Sequence, residues 1–231
     1  MLGRVLIGFI VVCVLFLSGC SDSPPSIVRI SWQVILFNNR ETTYGYQKLS
    51  LFVQITDEDG VKDIGSLYLI NDDKELFWGV DKESWQMITK GSETWIGTNA
   101  ITMPGGEPFP TGKYRVYLED LSGQSDETSI YINNDNVATS QTTTPESYTS
   151  GDTIYVRGSY DNYELWVYDQ SNHFIAAFPV DEQGIKTEVI ANRQPELNNA
   201  FTYYVYCPAK NNAFGILTGP YFYTNTTDKN Q

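Results

Sequence analysis

Apolar residues recurring at every second position restrict this chain more than any other feature. Leu49, Leu51, Val53 and Ile55 point one way, and Lys48, Ser50, Gln54 and Thr56 the other. That is the side-chain period of a β-strand with one face in a core and the other in water. The same alternation sets Val28, Ile30, Trp32, Val34 and Leu36 against Arg29, Ser31 and Gln33, and it returns in Tyr114, Val116 and Leu118 and in Thr128, Ile130 and Ile132. Turn-forming groups divide these runs: Asn38-Asn39, Asp57-Glu58-Asp59-Gly60 and Leu121-Ser122-Gly123. Ile64 to Asn71 reads as a further strand, while Trp78, Trp85, Trp95 and Ile96 fall in a less regular stretch of short strands and loops. No segment holds a 3.6-residue stripe long enough for a substantial helix. Strands at roughly eight-to-twelve-residue spacing predict an all-β chain of antiparallel sandwiches. An aromatic content of 14%, with 16 tyrosines, suits that class.

Two sets of strands are expected, in tandem. The first fills residues 27–134. From Asn133 to about Asp152 the polar residues Asn, Asp, Ser and Thr dominate, and Thr142-Thr143-Thr144-Pro145 is the run with least strand character. A linker at 135–150 therefore separates the first domain from a smaller second one at 151–225, with a polar tail at 226–231. In the second set Ile154 and Val156 alternate with Tyr155 and Arg157, and Leu165 and Val167 with Trp166 and Tyr168. Asp169-Gln170-Ser171-Asn172 makes a hairpin tip before Phe174 to Phe178. Further strands are expected near Lys186 to Ile190, through Phe201, Tyr203, Val205 and Cys207, and from Tyr221 to Thr224. A single elongated sandwich is the alternative, and the Thr/Pro stretch argues against it.

The amino end has a different physics. Arg4 precedes an unbroken apolar run, Val5 to Phe16, then small residues, Cys20 and an abruptly polar Ser21-Asp22-Ser23-Pro24-Pro25. The run is short for a membrane span and no stop-transfer charges follow, so residues 1–19 read as a secretory signal. Leu17-Ser18-Gly19-Cys20 resembles a bacterial lipobox. The resemblance implies cleavage before Cys20, fatty acylation of its thiol (palmitate among the chains), and a lipid bilayer of the cell envelope as the anchor. Several acyl chains on one residue hold a protein stably where a single chain does not. Residues 20–26 would then be the lipidated cysteine and a short Pro-containing tether.

Two further pieces resemble exported bacterial Ig-like (fibronectin-III-like) modules. One is the acidic turn Thr56-Asp57-Glu58-Asp59-Gly60-Val61-Lys62-Asp63-Ile64; the other is Phe109-Pro110-Thr111-Gly112-Lys113-Tyr114-Arg115-Val116, followed by Glu119-Asp120-Leu121-Ser122-Gly123. The resemblance covers about half of the first domain and implies a tyrosine corner at Tyr114, its ring in the core and its hydroxyl on backbone. Glu164 to Asp169 and the hairpin into Phe174 carry a looser version. Such motifs identify a scaffold and no activity.

Charge narrows the partners. Cleavage before Cys20 would leave 212 residues with 14 Lys and Arg against 28 Asp and Glu, a net of −14. Nucleic acid and anionic lipid faces require a positive footprint, so neither is an expected partner. Of the 3 cysteines, Cys13 lies in the signal and Cys20 is the lipid site, which leaves Cys207 without a disulfide partner. Its phase with Phe201, Tyr203 and Val205 makes it a small buried hydrophobe. His173 is the only histidine and sits at the hairpin tip without a nucleophile motif, so no triad is expected. No cofactor is expected either. Asp57, Asp59 and Asp63 around Gly60 offer a possible calcium loop, but the twelfth position, where an EF-hand needs Glu, is Tyr68.

The aromatics carry what functional signal there is. Tyr44, Tyr46, Trp78, Trp85 and Trp95 fall outside the clean alternation, and Tyr160, Tyr163, Trp166 and Tyr168 gather on and beside one strand of the second domain. Such rings either fill small disulfide-free cores or form a platform for sugars or proteins. The expectation is a membrane-anchored envelope lipoprotein acting as a non-catalytic binding or structural module, with an envelope protein or a glycan as its partner. Carbohydrate capture by exposed aromatics is the alternative, and an envelope hydrolase a third.

Overall fold

The computed structural model describes residues 23–42, 44–58, 60–134, 143–171, 173–197, 200–209 and 214–224. Cys20, Asp59 and residues 135–142 of the expected linker therefore lie outside the described residues, while Glu146–Ser150 of that stretch form a strand. The chain is all-β. Its strands are β1 (Ser26–Asn39), β2 (Gly45–Thr56), β3 (Ile64–Asn71), β4 (Leu76–Asp81), β5 (Gln86–Lys90), β6 (Glu93–Thr102), β7 (Gly112–Asp120), β8 (Ser125–Ile132), β9 (Glu146–Ser150), β10 (Thr153–Arg157), β11 (Tyr163–Tyr168), β12 (Phe174–Val180), β13 (Ile185–Lys186), β14 (Ala200–Pro208) and β15 (Gly215–Thr224). One short helix, α1 (Thr187–Arg193), follows β13. Among the described residues no helix is long and apolar enough to cross a membrane.

The alternating residues of β2, β3, β6, β7 and β8 meet in one cluster in which Leu49, Leu51, Val53, Ile64, Leu67, Leu69, Val116 and Leu118 are fully buried. It lies between a four-stranded sheet, in the order β4-β3-β7-β8, and the β1-β2-β6-β5 half of a larger sheet. Tyr114 is where the corner requires it: the ring is fully buried and the hydroxyl donates to the Pro110 carbonyl at 2.8 Å. A closed amide network pins the approach to β7. The Gln47 and Asn134 side chains bond each other, the Phe109 N–H donates to Gln47 Oε1 at 2.9 Å, and Asn134 Nδ2 donates to the Phe109 carbonyl at 2.8 Å. Because every one of these buried polar groups is answered, the loop is held in one place.

The second cluster gathers Ile154, Leu165, Val167, Phe178, Ile190, Phe201, Tyr203, Val205 and Tyr221. It lies between a small β13-β10-β9 sheet with α1 and the β12-β11-β14-β15 half of the large sheet. The two regions are joined strand to strand. β15 pairs in parallel with the carboxyl half of β1, Ile35 with Gly215 through Asn39 with Gly219, so a single eight-stranded sheet runs β12-β11-β14-β15-β1-β2-β6-β5 through both. β14 serves both clusters: Phe201, Tyr203 and Val205 pack in the second, Cys207 in the first.

One expected strand is corrected. Lys186 to Ile190 contributes only Lys186 to β13 and then turns into α1, because burial falls on Thr187 and Ile190, three apart, which a helix puts on one face and a strand does not. β15 starts six residues earlier than its aromatic end, Tyr221 to Thr224, suggests.

Candidate functional site

Of the four rings singled out in the second domain, two go to each side of the large sheet. Trp166 and Tyr168 face away from both cores. They join Ile35, Phe37, Tyr46, Phe174, Leu217, Tyr204 and Tyr206 in a layer across the β15–β1 join. Trp166 stacks on Tyr206 with centroids 4.7 Å apart and planes 17° apart, and only 9% of it is exposed. Tyr168 meets Phe174 and Tyr204 edge-on at 5.5 and 5.1 Å. Tyr204 and Tyr206 lie across the backbone of β15. A Cβ on Gly219 would stand 2.4 Å from the Tyr204 ring and one on Gly215 2.5 Å from the Tyr206 ring, so these close approaches require glycine. Tyr206 Oη then donates to Gln33 Oε1 on β1. The layer is a seal over the join. Its burial pushes the Tyr206 hydroxyl up to about 12 and raises those of Tyr168 and Tyr204; Lys48, whose ammonium sits 4.2 Å from the Phe37 centroid, is lowered by the same burial.

Tyr160 and Tyr163 sit on the opposite side, at the edge of the first cluster. They meet edge to face at 6.3 Å. The Tyr160 N–H donates to the Tyr163 hydroxyl and the Tyr160 hydroxyl to the Thr143 carbonyl. Tyr163 also borders a broad hollow of about 700 Å³ lined with Asp161, Glu164 and Asp181.

A different site, which ring counting missed, lies where the regions meet on the core side. It is a cleft of about 430 Å³. Its floor is the end of the parallel pair, Asn38 of β1 beside Thr218 of β15; Thr144 to Ser147 form one wall and Arg40, Tyr44 and Arg157 the others. The β1–β2 turn holds Arg40 in position: Asn39 Oδ1 accepts the Glu41 and Thr42 N–H groups, and the Arg40 N–H donates to the Gly219 carbonyl at 2.8 Å. Asparagine is suited to that turn because its side chain bonds the backbone two residues on. The Arg40 guanidinium lies 4.3 Å from the Tyr221 centroid, and Tyr221 stacks on Tyr203 at 5.2 Å behind it. Ser147 ties β9 to this stack: its N–H donates to the Tyr221 hydroxyl at 3.2 Å, and its hydroxyl lies 3.0 Å from that of Tyr203. Arg157 pairs with Glu146 at 3.1 Å. Thr218 is 2% exposed, and its hydroxyl has no hydrogen-bond partner among the described residues.

A second exposed feature crosses the outer face of the four-stranded sheet. Phe77, Tyr68 and Tyr117 form a row with successive centroids 5.2 and 6.0 Å apart, and the Tyr68 ring lies over Gly79. Phe77 is 62% exposed.

The remaining sequence candidates have plain geometry. His173 sits at the β11–β12 hairpin tip with Nδ1 3.1 Å from Asp169 Oδ2; the Asp169 carboxylate, held low first by the His173 backbone N–H, accepts that N–H and the one from Ser171. Cys207 is fully buried, which pushes its thiol up to about 12 and keeps it protonated. In the acidic turn the Gly60 N–H donates to the Asp57 carbonyl and the Asp63 N–H to that of Gly60. Among the described residues no group of three or more His, Cys, Asp or Glu side chains converges on one point.

No protein-family model matches the chain, and neither does any curated protein. Among solved structures, that of dimeric latent PorU from Porphyromonas gingivalis aligns with 87% of this chain at 11% identity and a TM-score of 0.33. The chain spans 21% of that chain's length.

Proposed function

We propose that this chain is a lipid-anchored protein of the bacterial envelope, with two Ig-like sandwich units sharing one sheet, that acts as a non-catalytic binding module. Bilayer attachment runs through acylated Cys20. For the first unit the Ig-like reading rests on the strand orders β1-β2-β6-β5 and β4-β3-β7-β8 and on the Tyr114 corner. The functional reading rests on one observation: β1 belongs to both regions. It begins at Ser26, next to the tether, and pairs with β15 from Ile35 onward. At about 3.3 Å per residue, the second region joins roughly 30 Å from the anchored end and the cleft opens roughly 40 Å from it. The spine supports a head held clear of the bilayer. In bacteria fed an alkyne analogue of palmitate, the wild-type protein is expected to take the label and stay with the membranes, and Cys20→Ser to lose both. Unlabelled wild type in the soluble fraction would end this reading.

Glycan capture is a second reading, favoured by the Phe77–Tyr68–Tyr117 row. An exposed ring in line with two half-buried ones on one sheet face is suited to stacking on sugars. Glycan-array signal lost on Phe77→Ala with Tyr117→Ala, at unchanged folding, would support it. Trp166 is too buried in the seal for its substitution to serve as that test.

A further inference from the structure

We propose that the cleft between the two regions binds a carboxylate-bearing sugar, a uronic- or sialic-acid residue of an acidic glycan. The first ground is Thr218. A buried hydroxyl left without a partner costs free energy, and nearly all such groups in folded proteins are answered by protein, water or ligand. This one stands in the floor of a cleft whose volume, about 430 Å³, lies within the range of small-ligand sites.

The second ground is charge. Arg157 is paired with Glu146, whereas Arg40 has no carboxylate partner among the described residues, so the cleft carries a net positive charge in a chain of net −13. The Arg40 guanidinium lies 4.3 Å from the Tyr221 ring centroid, a contact that uses none of its N–H groups, and carboxylate is the anion those N–H groups match in a bidentate way.

The third ground separates a sugar from a peptide. The rest of the lining is amide and hydroxyl, from Asn38, Asn39, Thr144 and Ser147, with Tyr44 exposed at the rim as a stacking surface. An extended peptide would need a free strand edge, and at the cleft the outward N–H of β9 is already given to Tyr221 by Ser147. Sugar hydroxyls need no such edge. The carboxylate meets Arg40, ring hydroxyls meet Thr218 and the asparagine amides, and an apolar sugar face meets Tyr44.

The test is calorimetric titration of the full-length protein in detergent micelles with galacturonic, glucuronic and sialic acid trisaccharides, with their neutral counterparts and a hexaglutamate peptide as controls. At least one acidic trisaccharide binds and its neutral counterpart does not. Arg40→Gln weakens that binding about tenfold or more. Thr218→Val, which keeps the shape, weakens it several-fold while the melting temperature stays level or rises. A structural role for Thr218 would move stability and leave affinity alone. Binding of none of the acidic sugars, equal binding of a neutral one, capture of hexaglutamate in their place, or affinity indifferent to both substitutions would each overturn the proposal.

Discussion

The two regions of this molecule solve the problem of a disulfide-free core in different ways. The first is aliphatic: Leu, Ile and Val fill most of its cluster, and of its three large buried rings Phe109 and Tyr114 sit at the approach to β7 and Phe214 just before β15. Burial area does the work there, and a leucine can relax against its neighbours. The second region adds to its aliphatic residues a stack of rings that bear hydroxyls. Tyr203, Tyr221 and Tyr223 stack in pairs with each other or with Phe201, and they bond Ser147 and Thr187. Its stability therefore depends on specific bonds as well as on area. Ordered polar contacts tolerate less change than apolar packing, because a partner lost inside leaves a group unanswered. The place where ligands are proposed to sit belongs to the second style of building.

The largest test of this contrast is a cavity in the first core. Leu51→Ala, at a fully buried position, is expected to cost about 3 to 4 kcal/mol in denaturant unfolding. If the shared sheet couples the regions, hydrogen exchange in β14 rises along with that in β2; if only the first region responds, the join is weak. Gly219→Ala attacks the join itself. Its Cβ would displace the Tyr204 ring, at an expected cost of about 1 to 3 kcal/mol, and a single unfolding transition should split into two.

Tyr203→Phe sharpens the contrast by removing only the hydroxyl that bonds Ser147 and Thr149, and about 1 to 2 kcal/mol is expected. Alkali probes β14 without mutation, through Tyr206 in the seal and Cys207 in the first core. Tyr206 and Cys207 have folded values raised to about 12, so their contribution is complete below their unfolded values and is lost as pH climbs toward 12. The denaturation midpoint should fall from about pH 9 upward, with β14 and β15 exchanging before β3 and β7. Uniform alkaline loss across both regions would show that neither group sets the alkaline limit of the join. The smallest effect belongs to Thr218→Val, near zero or slightly stabilising, read as melting temperature without ligand.

Legibility from sequence followed the same division. β2, β3, β7 and β8 are written in period two and emerge where the alternation puts them, because one aliphatic face must be buried. The first half of β15, Gly215-Ile216-Leu217-Thr218-Gly219-Pro220, was not legible as a strand. Glycine and proline carry no strand signal, whereas Gly215 and Gly219 are there so that Tyr206 and Tyr204 can lie across the strand. α1 was hidden for the converse reason: Val189 and Ile190 favour a strand locally, and tertiary burial of Thr187 with Ile190 overrides them. Four rings around β11 looked like one cluster; a strand's two faces sent Trp166 and Tyr168 to the seal and Tyr163 to the core. The cleft had no sequence signal, since Arg40, Ser147 and Thr218 meet only through the pairing of distant strands. The one hint was an arginine in an Asn-rich turn.

The parallel contact of Ile35 with Gly215 joins the first described strand to the last described one. During synthesis the ribosome delivers β1 long before β15 exists, so for most of that time the flank of β1 that β15 will occupy stays bare. Such a contact is among the slowest to form, since nearly the whole polypeptide must close a loop around it. A nascent chain halted after β8 would display an adhesive edge.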